Sequence, residues 1–276
     1  MPSTVLDKQM RLIERGSGPP RIAVVGGIHG DEPAGERIVT QLAEELTVAD
    51  GTVQLLVANE PALEIGKRYT DTDLNRTFPG DIHSDDYESA LAPRLTAVLE
   101  GADAILALHT SHSAPPPFAI YTELTETVRR SVTGMPVEYV VDAGTLDGTT
   151  LDSQHPNTIS LETGRQGSEE AVEFGLMATR DFLRVHGILD DREPTYTETT
   201  LVTIEEEVPK ASGTPELYYR NFEEIPKGEI FARDDIYTHR VTTAGRVPVL
   251  ASEHGYDDIF GLYGRFSGSI NPPDDG

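Results

Sequence analysis

The chain has 276 residues, enough for one large domain or a main domain with a smaller partner, and its 37 % hydrophobic content supplies a core and excludes a disordered chain. With 22 Lys and Arg against 47 Asp and Glu, the net charge is -25; the acidic residues are scattered, so the surface repels nucleic acid and anionic membranes and suits strong salt, where screening removes self-repulsion. The absence of cysteine excludes disulfides and thiolate metal ligands.

No run approaches the ~18 apolar residues of a membrane span. MPSTVLDKQM at the start lacks the apolar core of a signal peptide, so the expected compartment is the cytoplasm. Residues 21–28 are rich in Val and Ile and read as a central strand. Pro33 fits the first turn of a helix that continues through GERIVTQLAEEL, with Ile38, Leu42 and Leu46 on one stripe. VQLLVANEP (53–61) is a second strand, stopped by Pro61, and a loop rich in Asp and Arg follows, KRYTDTDLNRTFPGD. Residues 87–101 read as a helix in which Pro93 marks either a kink or the true start.

DAILALH (103–109) is a strand ending in histidine. After TSHSAPPP come the strand FAIY, a helix around 124–132, a strand at 137–141 and another at 157–164. Residues 168–189 form the clearest helix. Strands alternating with helices to about residue 190 predict an α/β fold with both sheet faces covered. Beyond DDREPTYTETT the pattern changes to short alternating runs with turns such as IPKGE, which predicts a smaller β-rich C-terminal domain. We place the division at 1–192 and 193–276, with GSINPPDDG as a loose tail.

The chemistry concentrates at strand ends, where open α/β sheets gather functional groups. RIAVVGGIHGDEPAG (21–35) sets His29 and Glu32 three residues apart just after the first strand. Phosphate binding and metal binding are the two common uses of such a turn. The glycines lack the spacing of either nucleotide fingerprint, and acidic residues at 31, 32 and 36 would repel a phosphate. His109 ends another strand and Glu162 sits near the end of a later one. Two imidazoles and a carboxylate suit zinc with a fourth position open to water, and a further carboxylate can take the water's proton. Plainer roles compete: Glu32 as a carboxylate at a helix N-terminus, His109 as a core histidine. His112 is a substitute ligand for His109.

GGIHGDEPAG, RYTDTDLNRTFPG, LHTS and LETG, in that order over most of residues 22–165, resemble the succinylglutamate desuccinylase/aspartoacylase family within the zinc carboxypeptidase-like folds. The resemblance implies a mixed central sheet flanked by helices and a β-rich C-terminal domain limiting access to the zinc. It implies one Zn2+ per chain on His29, Glu32 and His109, with Glu162 activating water and Arg68 stabilising the oxyanion. Asn75 and Arg76 match the pair receiving a substrate carboxylate, which a planar guanidinium does well. The competing role for Arg68 and Arg76 is pairing with Asp71 and Asp73. VPVLASEHGYDDIFG (247–261) resembles the segment that sends a tyrosine, here Tyr256, toward substrate; the alternative is an aromatic packed between domains.

Two positions depart from the family pattern. Asp two residues before the third ligand is replaced by Ala107, so support for the zinc site must come from elsewhere or be missing. Asp152 stands where aspartoacylase has an arginine for a second substrate carboxylate, and Arg165 compensates only if it turns inward. The expected activity is zinc-dependent hydrolysis of a small, anionic N-acyl amino acid. A peptide-cleaving zinc carboxypeptidase and a non-catalytic zinc or anion binder are the alternatives.

Overall fold

A computed structural model of the chain describes residues 4–6, 10–113, 115–144 and 148–273. Among them the elements run β1 (Thr4–Leu6), β2 (Met10–Gly16), β3 (Arg21–Gly26), α1 (Pro33–Glu45), β4 (Thr52–Val57), α2 (Glu60–Ile65), a single 3-10 turn (Leu74–Arg76), α3 (Tyr87–Leu99), β5 (Ala104–Ser111) and β6 (Phe118–Tyr121). They continue through α4 (Glu126–Gly134), β7 (Tyr139–Asp142), α5 (Leu151–Gln154), β8 (Thr158–Arg165), α6 (Glu169–Val185) and β9 (Thr199–Pro209) to β10 (Glu216–Leu217), β11 (Ile230–Arg233), β12 (Thr238–Arg240), β13 (Arg246–Val249) and β14 (Ile259–Ile270).

The central sheet is mixed, as the resemblance implied. Its order is β1-β2-β4-β3-β5-β8-β6-β7-β9-β14-β13. The centre, β4-β3-β5-β8, is parallel, while β2 and β6 join it antiparallel. The apolar runs of β3, β4 and β5 are buried almost throughout because helices cover both faces. Leu106, Leu108 and Leu161 pack with Ile38 and Leu42 of α1 and Phe182 of α6. Ile105 and Ala107 face the other way, onto Leu91 and Leu95 of α3 and onto Phe78 and Leu151.

Local chemistry accounts for the differences from the sequence reading. Pro61 does not end a strand. It opens α2, whose N-cap Asn59 accepts from the amide of Ala62 at 3.2 Å. Pro93 is not the start of its helix, which already runs from Tyr87. Asp86 caps α3 through the Ser89 amide at 2.8 Å, and the Ser89 carbonyl that Pro93 cannot pair takes the amide of Asp81 at 2.9 Å instead. The first two strands carry no clear pattern in the sequence and were missed.

The β-rich C-terminal stretch prolongs the central sheet: β9 pairs parallel with β7, and β14 antiparallel with β9. A separate three-stranded sheet, β10-β11-β12, packs beside it, with Phe231 against Tyr263 and Phe260. The start of the expected loose tail is ordered pairing: Gly268–Ile270 belongs to β14, with Ile270 opposite Thr199 and buried. Glycine and serine there concealed a strand held by backbone bonds. The last three residues of that tail lie outside the described ones. Among the described residues, no helix is long and apolar enough to cross a membrane.

Candidate active site

Just past β3 the chain must turn sharply without leaving the sheet end. Gly27 does so at φ 63, a conformation that costs glycine little. Gly30 then runs against α2 so closely that a Cβ would lie 2.0 Å from the carbonyl carbon of Ala62. This tight path sets His29 and Glu32 at the floor of a cavity, 3 % and 6 % exposed.

Glu32 occupies the N-cap position of α1, yet its side chain caps no helix amide. Its carboxylate is turned to the sheet end instead. Oε1 lies 2.8 Å from His29 Nδ1, and Oε2 accepts from the Thr110 amide at 2.9 Å and lies 3.4 Å from His109 Nδ1. Burial alone would raise its pKa, but His29 and His109 hold the carboxyl well below the usual range. One donor atom each from His29, Glu32 and His109 falls within 4.8 Å of the others. A buried, two-imidazole, one-carboxylate set with no competing thiolate fits a single zinc ion. His112 is not part of the set: it is exposed at the rim, with Nε2 3.9 Å from Asp31.

Glu162 arrives by strand register. β5 and β8 are parallel neighbours with His109 directly beside Glu162. Glu162 is 8 % exposed, and its Oε2 is buried without a hydrogen-bond partner among the described residues. Burial, reinforced by Glu32 and opposed by His109, pushes this carboxyl up to about 7. A carboxyl that exchanges its proton near neutrality suits proton transfer.

The loop between α2 and α3 brings the cations. Arg68 donates through Nε to Asp73 at 2.9 Å and through Nη1 to Glu32 at 3.3 Å. The pairing of Arg68 with an aspartate is thus real, but it anchors the guanidinium inside the cavity lining. Asn75 accepts the Leu151 amide at 2.9 Å on Oδ1, which leaves Nδ2 as its donor. Arg76, at the exposed edge, also lines the cavity. Tyr256 lines it from the C-terminal segment, its hydroxyl pushed up to about 12 by burial and by Glu162. Val249, Leu250, Ile259 and Leu262 add an apolar wall.

Arg165 does not join them. It ends β8 exposed to solvent and outside the cavity lining, so it does not offset Asp152.

Two carboxylates do more than the sequence indicates: Asp73, expected only as a partner for an arginine, and Glu88, which carries no signal at all. Asp73 bridges the site, with Oδ1 3.1 Å from His29 Nε2 and Oδ2 on Arg68. Burial opposes its ionisation, but His29 and Arg68 hold it far below the usual range. Glu88, fully buried, accepts the amides of Thr70, Asp71 and Thr72 at 2.7, 3.0 and 3.2 Å and the Asn59 amide group at 3.1 Å. Nothing in YESAL marks Glu88 as buried; its partners come from a loop 16 to 18 residues earlier. Glu88→Ala leaves three backbone donors unpaired and is expected to cost about 3 kcal/mol or more. Amide exchange at residues 70–72 checks this; wild-type protection in the variant would show that Glu88 does not hold the loop.

A model of the succinylglutamate desuccinylase/aspartoacylase catalytic domain matches residues 19–182. Succinylglutamate desuccinylase of Burkholderia lata is 26 % identical over 257 residues, covering 80 % of this chain and 72 % of that one. Among solved structures, the product-bound ectoine utilization protein EutE (DoeB) of Ruegeria pomeroyi superposes with a TM-score of 0.77 at 22 % identity, over 93 % of this chain and 87 % of that one. Murine aminoacylase 3 gives a TM-score of 0.75 at 19 % identity, over 92 % and 99 %.

Proposed function

The chain belongs to the succinylglutamate desuccinylase/aspartoacylase family, and from that premise we propose how its cavity hydrolyses the amide of a small N-acyl amino acid to a carboxylate and the free amino acid. The observation that carries this reading is the convergence of His29, Glu32 and His109 with Glu162 next to His109 in register. Zinc held by those three side chains supplies Lewis acidity to the scissile carbonyl and acidifies water.

The remaining work falls to the protein's own groups. Glu162 takes a proton from the attacking water and returns it to the departing nitrogen, a double duty that suits a carboxyl ionising near neutrality. Arg68, pinned by Asp73, aims its remaining edge at the oxygen where negative charge develops. The Nδ2 donor of Asn75 and the guanidinium of Arg76 hold the amino-acid carboxylate, which fixes the amide relative to Glu162. The hydroxyl of Tyr256, protonated at any working pH, donates to the substrate. The C-terminal segment walls the cavity and favours small substrates over long peptides. Asp152, buried in the lining, disfavours a second substrate carboxylate beside it.

A screen of zinc-loaded protein in high salt, varying acyl and amino-acid halves independently, tests this. Turnover is expected on N-acyl amino acids with a free α-carboxylate and lost on their α-amides. Hydrolysis confined to peptides several residues long would refute it.

A further inference from the structure

On the cavity floor one buried imidazole nitrogen lacks a hydrogen-bond partner, and one buried carboxylate lies outside any ion pair among the described residues. His109 turns Nδ1 toward Glu32, which leaves Nε2 buried with no hydrogen-bond partner among the described residues. Asp152, at the start of α5 and 6 % exposed, accepts from the Ser160 hydroxyl, 3.0 Å from each carboxylate oxygen, and from its own backbone amide. It takes part in no ion pair among the described residues. A buried donor without a partner is costly, and a buried carboxylate outside any ion pair still has lone pairs to offer it.

Strand register makes them neighbours. In the parallel pair of β5 and β8, Ala107 lies beside Ser160 and His109 beside Glu162. With a two-residue period, all four side chains share one face. Ala107 carries nothing beyond Cβ, so β5 offers His109 no acceptor from that position. The carboxylate nearby comes from Asp152, anchored on Ser160; burial pushes its pKa up, while His109 and Arg76 favour its ionised form.

We propose that Asp152 is the positioning residue for His109, accepting from Nε2–H through one bridging water and so fixing the ring and tautomer that present Nδ1 to the metal. The inference rests on the zinc reading of the site. Metal-binding histidines commonly give their second ring N–H to a carboxylate. His29 already has this arrangement through Asp73 at 3.1 Å, and Asp152 gives His109 the same. The absence of an aspartate at position 107 and the presence of one at 152 are then a single compensated change.

Zinc affinity measured by chelator competition tests this without any substrate. Asp152→Asn is expected to bind zinc about 10–100-fold more weakly, and adding Ala107→Asp to that variant is expected to recover most of the loss. Ser160→Ala, which removes only the anchoring hydroxyl, is expected to weaken zinc in the same direction and carries the test if Asp152→Asn does not fold. Wild-type zinc affinity in Asp152→Asn overturns the proposal. If a variant with wild-type zinc affinity also accepts N-acyl amino acids with acidic side chains, Asp152 acts on the substrate alone. Because the readout is metal affinity, a negative substrate screen would remove the proposed reaction and leave this assignment standing.

Discussion

Glu162→Gln is expected to keep one zinc per chain while turnover falls by about 10²–10⁴-fold, the range for removing a positioned general acid–base. The amide copies the carboxylate's shape, so the His29, Glu32 and His109 set is undisturbed. It cannot, however, accept the water's proton or hand one to the leaving nitrogen. The same substitution has an opposite effect on stability in the metal-free protein. Glu162 is pushed from 4.5 to about 7 in the folded state, so between those values the folded chain holds a proton the unfolded chain has lost. Wild-type stability therefore declines as pH rises through that window, and above it the ionised carboxylate is a buried burden worth up to about 3 kcal/mol. Metal-free Glu162→Gln should melt higher than wild type at pH 8 and show little difference near pH 4. Single-turnover kinetics, metal analysis and thermal melts check the three parts. Normal turnover in the variant would remove Glu162 from the mechanism.

His29→Ala is expected to weaken zinc binding by well over the ~100-fold typical of losing an outer partner and to abolish hydrolysis. One of three donors is deleted, and the damage spreads. Asp73 loses its His29 contact at 3.1 Å and keeps Arg68 and the Asn75 amide, so the guanidinium is left on a less constrained anchor. Excess zinc should then restore little activity, because the arginine aimed at the developing charge is also misplaced. Stoichiometric zinc retained at wild-type affinity would show that the three side chains do not form the metal site.

The metal set was legible in the sequence because each ligand sits at a strand end, and strand ends can be read from apolar runs. His29 and Glu32 follow the run at β3, His109 ends β5, and Glu162 lies in β8. Arg165 was not legible in this way: the pairing of β5 with β8 is irregular between Glu162 and Arg165, so a simple two-residue period cannot be carried across them. Pro61 misled for a different reason. Proline stops a strand and opens a helix equally well, and only the Asn59 cap distinguishes the two.

By itself, the order of apolar runs, turns and four short motifs determined the α/β class, the family and the residues that hold the metal, since these depend on periodicity and on chemistry carried within a few residues. Tertiary structure decided which groups support that chemistry. Asp73 on His29, Glu88 on the 70–72 amides and Asp152 on Ser160 join positions far apart along the chain. It also decided that β9 and β14 extend the central sheet. Burial and strand neighbours set these outcomes, and both arise from where distant segments meet rather than from any local pattern.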